Sequence, residues 1–280
     1  ATLVFVIALL NNSIIKLITL EFIGVTLRLV QTLGNLNNSL NALINSQVHI
    51  EKLIEFETDK EIKLSPLDLD KNMKGSFAIK FENVNFKYFG SKEYMFENLN
   101  LSIEKNKHTV ITGLNGTGKS TLIGLMSGIY FPMEGSVKAF SDNFGYVGPL
   151  PLIIDSTIKE NLRYGNTKDI SDDKLYELIK LFDLFNGEVP DLDLEINNKS
   201  LSSGQMQKIS FIRVMLADVD ILFLDESTSN LDTDTKNKIY SVLNKLEITI
   251  VNSTHSKEDF EYDFHLNIKN IEGKRSVTFV

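Results

Sequence analysis

The sequence predicts an α/β fold, a parallel sheet with helices on its faces, preceded by a long helical segment. Three observations predict it. Strand-like and helix-like runs alternate from residue 77 to the end. A glycine-rich loop joins one such strand to a helix, and the composition changes sharply near residue 56.

Over 280 residues, 42% are hydrophobic and 24% charged, which excludes disordered and low-complexity classes. The net charge of −8 argues against a surface built for nucleic acid or anionic lipid. With no cysteine, disulfides, thiol nucleophiles and Cys-ligated metals are excluded. The chain starts at Ala1 without a recognisable signal peptide and reads as a fragment.

Residues 1–56 carry three charges of each sign: Lys16, Arg28 and Lys52 against Glu21, Glu51 and Glu55. The opening ATLVFVIALL is apolar but shorter than the roughly 20 residues a spanning helix needs. From Leu29 on, Leu29, Leu33, Leu36, Leu40, Leu43 and Ile44 recur at helical spacing, with no proline to interrupt them. Taken alone, this pattern fits an amphipathic helix on a soluble domain or a membrane helix continuing into water. Residues 57–76 are charged, contain Pro66 and end at Gly75-Ser76, which reads as a linker.

Beyond the linker, FAIKFENVNFKY, MFENLNLSI, HTVIT, NFGYVG, DILFLD and ITIVNST read as strands. Helical patterns begin near Gly118, cover 157–163 and 171–185, and run from about Gly204 to Leu216 and Thr233 to Leu246. No internal repeat is visible.

After HTVIT come Gly113, Leu114, Asn115, Gly116, Thr117, Gly118, Lys119 and Ser120, a match to G-x-x-x-x-G-K-[ST] that continues with Thr121 into the helical run STLIGLMSGI. The glycines let the backbone curl so that its N–H groups face phosphate oxygens. The helix N-terminus adds partial positive charge, Lys119 neutralises the β- and γ-phosphates, and Ser120 offers a hydroxyl to Mg²⁺. Such a match arises by accident in about one per cent of chains this long, so a nucleoside triphosphate site is expected. In DILFLD-Glu226 an apolar strand ends on Asp225 and Glu226, outside the carboxyl end of a strand where ligands sit in open α/β sheets. Asp225 suits the metal shell and Glu226 an attacking water.

Leu201-Ser202-Ser203-Gly204-Gln205 opens a helix 20 residues before Asp225 and would form a second anion site. The run resembles the LSGGQ signature of ATP-binding cassette (ABC) ATPases, with Ser203 replacing one glycine. The resemblance covers 77–280 and implies a P-loop fold of the ABC type with a helical subdomain. It assigns Tyr88 to the adenine, Ser202, Gly204 and Gln205 to a facing nucleotide, and Ser229-Asn230-Leu231-Asp232 to the D-loop. His255 matches the switch histidine at the γ-phosphate, joining Lys119 and Glu226 as a catalytic residue. Ser120 and Asp225 are the implied metal ligands, and ATP with Mg²⁺ the implied cofactors.

TIKENLRYG at 157–165 is similar to a segment of exporter-type members. LITLEFIGVTLRLVQTLGNLNNSLNALINSQVHIEKLIEF looks like the last transmembrane helix of such an exporter with its cytoplasmic extension, and ATLVFVIALL like the end of the preceding helix. The implied organisation is 1–56 from a helical transmembrane domain, 57–76 a linker, and 77–280 the nucleotide-binding domain. The implied partners are a second half-transporter, in a homodimer or heterodimer, and the inner membrane, with the ATPase cytoplasmic and no nucleic acid bound. Two alternatives stand beside this: a soluble ABC ATPase, and a catalytically weak partner in a heterodimer.

Three departures stand out. Pro149 in Tyr146-Val147-Gly148-Pro149 occupies the place of the family's metal-contacting glutamine and has no side-chain oxygen. Gly135 to Tyr146 is short, implying a trimmed hairpin. Leu194-Glu195-Ile196-Asn197-Asn198 replaces the acidic exporter segment before the signature. Lys119, Asp225, Glu226 and His255 are all present, so hydrolysis is expected.

Overall fold

A computed structural model describes residues 20–58, 66–70, 76–166, 168–229, 231–254, 260–271 and 274–280. The chain parts into two compact units after Lys63. In the first unit, helix α1 spans Leu20–Thr58. Its 39 residues give it a length of about 58 Å. Large apolar side chains along it, Leu29, Leu33, Leu36, Leu40 and Leu43 among them, are exposed. Gln47 Nε2 donates to Glu51 Oε1 one turn on, at 2.9 Å. Among the described residues no helix is long and apolar enough to cross a membrane. The run ATLVFVIALL lies outside the described residues.

The second unit opens with strands β1 (Asp68–Leu69), β2 (Phe77–Phe86), β3 (Phe96–Glu104) and β4 (His108–Thr112), then helix α2 (Lys119–Met126). Next come β5 (Glu134–Ala139), β6 (Phe144–Val147) and β7 (Ser156–Thr157), helices α3 (Ile158–Arg163) and α4 (Asp172–Leu181), and β8 (Glu195–Ile196). Helix α5 (Ser203–Ala217), β9 (Ile221–Asp225), α6 (Thr233–Leu243), β10 (Thr249–Ser253), β11 (Phe264–Ile271) and β12 (Lys274–Phe279) complete it.

The larger sheet runs β12-β11-β4-β10-β9-β6. All its pairings are parallel except the edge pair β11–β12. Every residue of β9 and β10 is buried, because both faces are covered, and this explains the unbroken apolar run Ile221–Leu224 of β9. Side chains alternate along β9. Ile221 and Phe223 join the core built with Leu122, Leu125 and Met126 of α2. Leu222 and Leu224 join the core built with Ile209 and Ile212 of α5 and Ile239 of α6.

The expectation of a single parallel sheet does not hold for the first strands. A second sheet, β1-β5-β2-β3, pairs β2 antiparallel with both β3 and β5. The connection 87–95 holds no helix, and a parallel pair needs a crossover of about a dozen residues or more. Nor is 135–146 a hairpin, since β5 lies in the second sheet and β6 pairs with β9 in the first. Part of the segment read as a linker is built into the fold: Asp68 and Leu69 pair with Lys138 and Ala139.

Helices α3, α4 and α5 form a lobe around Leu162, Leu175, Leu178, Phe182 and Phe211. Thr157 caps α3 and Ser171 caps α4, each accepting from a backbone N–H three residues on. Helix α4 stops at Leu181, short of the expected 185, and Asp183 and Asn186 then take left-handed backbone conformations.

Candidate functional site

Strands β4, β10, β9 and β6 are parallel neighbours, so the segments that leave their carboxyl ends gather at one edge. These segments are Gly113–Gly118, Thr254, Glu226–Ser229 and Gly148–Pro149.

The glycine loop is shaped by contacts no other residue would tolerate. A Cβ at Gly113 would lie 2.6 Å from Ile268 O and 2.7 Å from Thr117 Oγ1. Gly118 takes φ +108 as N-cap of α2 and supplies no side-chain cap. The first N–H groups of α2 are thereby left for an incoming anion. Thr117 Oγ1 donates to Leu114 O at 2.8 Å, which ties the loop across its base. Leu114, Asn115, Gly116 and Ser120 are exposed, whereas Thr117, Lys119 and Thr121 are buried.

Lys119 folds back under the loop. Its Nζ donates to Gly113 O at 3.0 Å and lies 3.2 Å from Glu226 Oε1. Glu226 takes φ +49, a left-handed conformation that costs a non-glycine residue about 1–3 kcal/mol. Its N–H donates to Ser253 O at 3.0 Å, which holds the turn at the end of β9.

Asp225 is buried, and both its oxygens are engaged. Ser253 Oγ donates to Oδ1 at 2.7 Å, and Tyr146 Oη donates to Oδ2 at 3.3 Å. Burial first, then the Asp225 charge, pushes the Tyr146 phenol up to about 12, so it remains a donor at neutral pH. Among the described residues no group of three or more His, Cys, Asp or Glu side chains gathers as a metal cage. Asp225 and the Ser120 hydroxyl nevertheless fit Mg²⁺, which takes one or two carboxylates and completes its shell with phosphates and water.

Tyr88 lies beside the loop, its Oη 2.7 Å from Thr121 Oγ1 and its ring edge-on to Tyr130 at 5.6 Å. Ser202 is the N-cap of α5 in a reciprocal box: its Oγ accepts from Gln205 N at 3.2 Å, and its N–H donates to Gln205 Oε1 at 2.9 Å. A Cβ at Gly204 would lie 3.8 Å from Leu231 Cδ2, an ordinary contact distance. Asp232 caps α6, accepting from Thr235 N at 2.9 Å, and that hydrogen bond lowers its pKa. Among the described residues, no hydrogen bond of Ser202 or Gln205 reaches Gly113–Thr121. His255 and Asn230 lie outside the described residues.

Two residues that hold Asp225 escaped the sequence reading, Tyr146 and Ser253. Ser253 had a signal, because it ends the strand beside β9 and pairs in register with Asp225. Tyr146 had none, because Phe223 is its partner in register and only the reach of its phenol brings it to Asp225.

Residues 96–229 match the ABC transporter family. The chain carries an ABC transporter domain. Such a domain binds nucleotide, in agreement with the glycine loop. The chain is 28% identical to the lactococcin-A transport/processing ATP-binding protein LcnC of Lactococcus lactis subsp. lactis, over 88% of itself and 39% of that protein. It is 30% identical to the ATP-dependent permease MDL1 of Candida albicans, over 70% of itself and 32% of the permease. The ABC fold also superposes on a bacterial Atm1-family ABC exporter solved with ATP bound, at a TM-score of 0.64 and 23% identity. That match covers 76% of this chain and 39% of the exporter. The chain thus spans well under half the length of these relatives.

Proposed function

We propose that residues 77–280 are the nucleotide-binding domain of an exporter-type ABC transporter, which hydrolyses Mg²⁺-ATP to drive transport. Residues 1–56 are then the end of its helical transmembrane domain, joined through 57–76. The reading rests on one arrangement: Lys119, Asp225 and Glu226 meet at the carboxyl ends of β4 and β9 beneath an uncapped helix N-terminus.

The chemistry follows from these residues. The glycine loop and the start of α2 cradle the phosphates, and Lys119 leaves Glu226 for the γ-phosphate. Glu226 is then free to accept a proton as a water oxygen attacks phosphorus and the bond to the ADP oxygen breaks. Ser120 and Asp225 would hold Mg²⁺, which when bound would supply charge neutralisation for the leaving ADP. Tyr88 stacks on the adenine, and His255 contacts the γ-phosphate.

One loop leaves the γ-phosphate half uncovered. The Ser202–Gln205 helix start of a second subunit, exposed at Ser202 and Ser203, completes the cage in a head-to-tail dimer, where Asp232 lies at the shared face. The dimer is a pair of half-transporters in the inner membrane, with the ATPase cytoplasmic. The exposed apolar side chains of α1 favour this over a soluble ABC ATPase. Pro149 supports a second reading, a catalytically weak partner in a heterodimer.

Steady-state ATP hydrolysis by the wild type and by Glu226→Gln tests the proposal. A loss on the order of 10²-fold or more in the variant is expected, with nucleotide binding retained. A wild type that binds ATP without hydrolysing it supports the weak-partner reading instead.

A further inference from the structure

The carboxylate of Asp225 is fixed from two sides, and the two sides differ in kind. Ser253 is wholly buried and lies opposite Asp225 in register, so its bond to Oδ1 belongs to the sheet. Tyr146 stands on the edge strand, 47% exposed, and reaches Oδ2 only through the length of its phenol. Its ring lies over Gly148, where a Cβ would come within 2.8 Å of a ring carbon. Glycine at 148 thus leaves room for the ring that delivers the hydroxyl. The next residue, Pro149, has neither a side-chain polar atom nor an N–H to offer.

We propose that Tyr146 is the positioning residue for the divalent cation that accompanies the nucleotide, the role that Pro149 cannot fill. The proposal rests on the nucleotide reading above. By donating to Oδ2 the phenol fixes the rotation of the Asp225 carboxylate, and its remaining lone pair can accept from a water in the cation's shell. Such outer contacts orient a ligand that they do not replace, and removing one typically costs about 10–100-fold in metal affinity.

The test uses the full chain, Mn²⁺ as the probe and a non-hydrolysable ATP analogue, with bound Mn²⁺ read by electron paramagnetic resonance. Tyr146→Phe keeps the ring and removes only the hydroxyl. It is expected to weaken Mn²⁺ binding about tenfold or more, while affinity for the analogue in EDTA stays at the wild-type value. Unchanged Mn²⁺ affinity overturns the proposal and leaves the nucleotide reading intact. Equal losses of Mn²⁺ and metal-free nucleotide affinity also overturn it, because they mark a deformed pocket. If the wild type takes up neither analogue nor Mn²⁺, the nucleotide reading falls and the proposal with it.

Discussion

Lys119 Nζ lies 3.2 Å from Glu226 Oε1, the lysine buried and the carboxylate partly exposed. A buried ammonium needs a counter-charge, and Glu226 supplies it when no phosphate is present. On the proposed reading, the phosphate-binding cation and the acid beside the attacking water are therefore partners that the nucleotide would separate. Removing either side has opposite effects on binding. Lys119→Ala should weaken ATP binding about 10–100-fold, the worth of a charge-assisted hydrogen bond. Glu226→Gln removes the competitor and should tighten it by about twofold to fivefold. Titration with a fluorescent ATP analogue reads both.

The cap at Ser202 and its proposed phosphate contact can be separated. Ser202→Ala removes the cap and should cost about 1 kcal/mol in urea unfolding. Ser202→Asp keeps an N-cap oxygen and should leave the urea midpoint close to wild type, yet its charge repels a phosphate. Loss of ATP-driven pairing in the stable Asp variant is the expected outcome, and normal pairing there counts against the facing-helix role.

Gly118→Ala tests the loop's shape. A left-handed φ of +108 strains any Cβ, and that Cβ would sit 3.1 Å from the Phe96 ring and 3.2 Å from Met95 Sδ. A stability loss of about 1–3 kcal/mol is expected. Loop distortion should lower nucleotide affinity by about tenfold or more in calorimetry, equivalent to some 1.4 kcal/mol.

Much of this was legible in the sequence, for identifiable reasons. His108–Thr112 and Ile221–Asp225 are buried on both faces, so their apolar runs have no competing pattern and their bounds follow directly. The candidate site was equally legible where one chain segment carries it, as in Gly113–Thr121. The second sheet was not, because the direction of β2 and β3 depends on pairings with β5 made across the chain. Strands β11 and β12 were missed as well. They form an edge hairpin whose outer strand is only partly buried, which gives little apolar signal. Tyr146 was hidden for a related reason: its partner is set by a side chain reaching past its own register.

Acid stability offers a check far from the site. Hydrogen bonds from Lys80 first, then Lys138, hold the Glu82 carboxyl at about 2, against an ordinary 4.5. The folded pKa is depressed, so the stabilisation is present above pH 4.5 and is lost as pH falls toward 2. Glu82→Gln should flatten the dependence of the urea midpoint on pH across that window and leave its slope above pH 5 unchanged.

The most direct test of the central claim is the sedimentation mass of Glu226→Gln, as the full chain in detergent, with and without Mg²⁺-ATP. Two copies clasping nucleotide between Lys119 of one and Ser202 of the other predict a monomer without ATP and a stable dimer with it. A mass that does not respond to ATP, in a variant shown to bind it, would contradict the account.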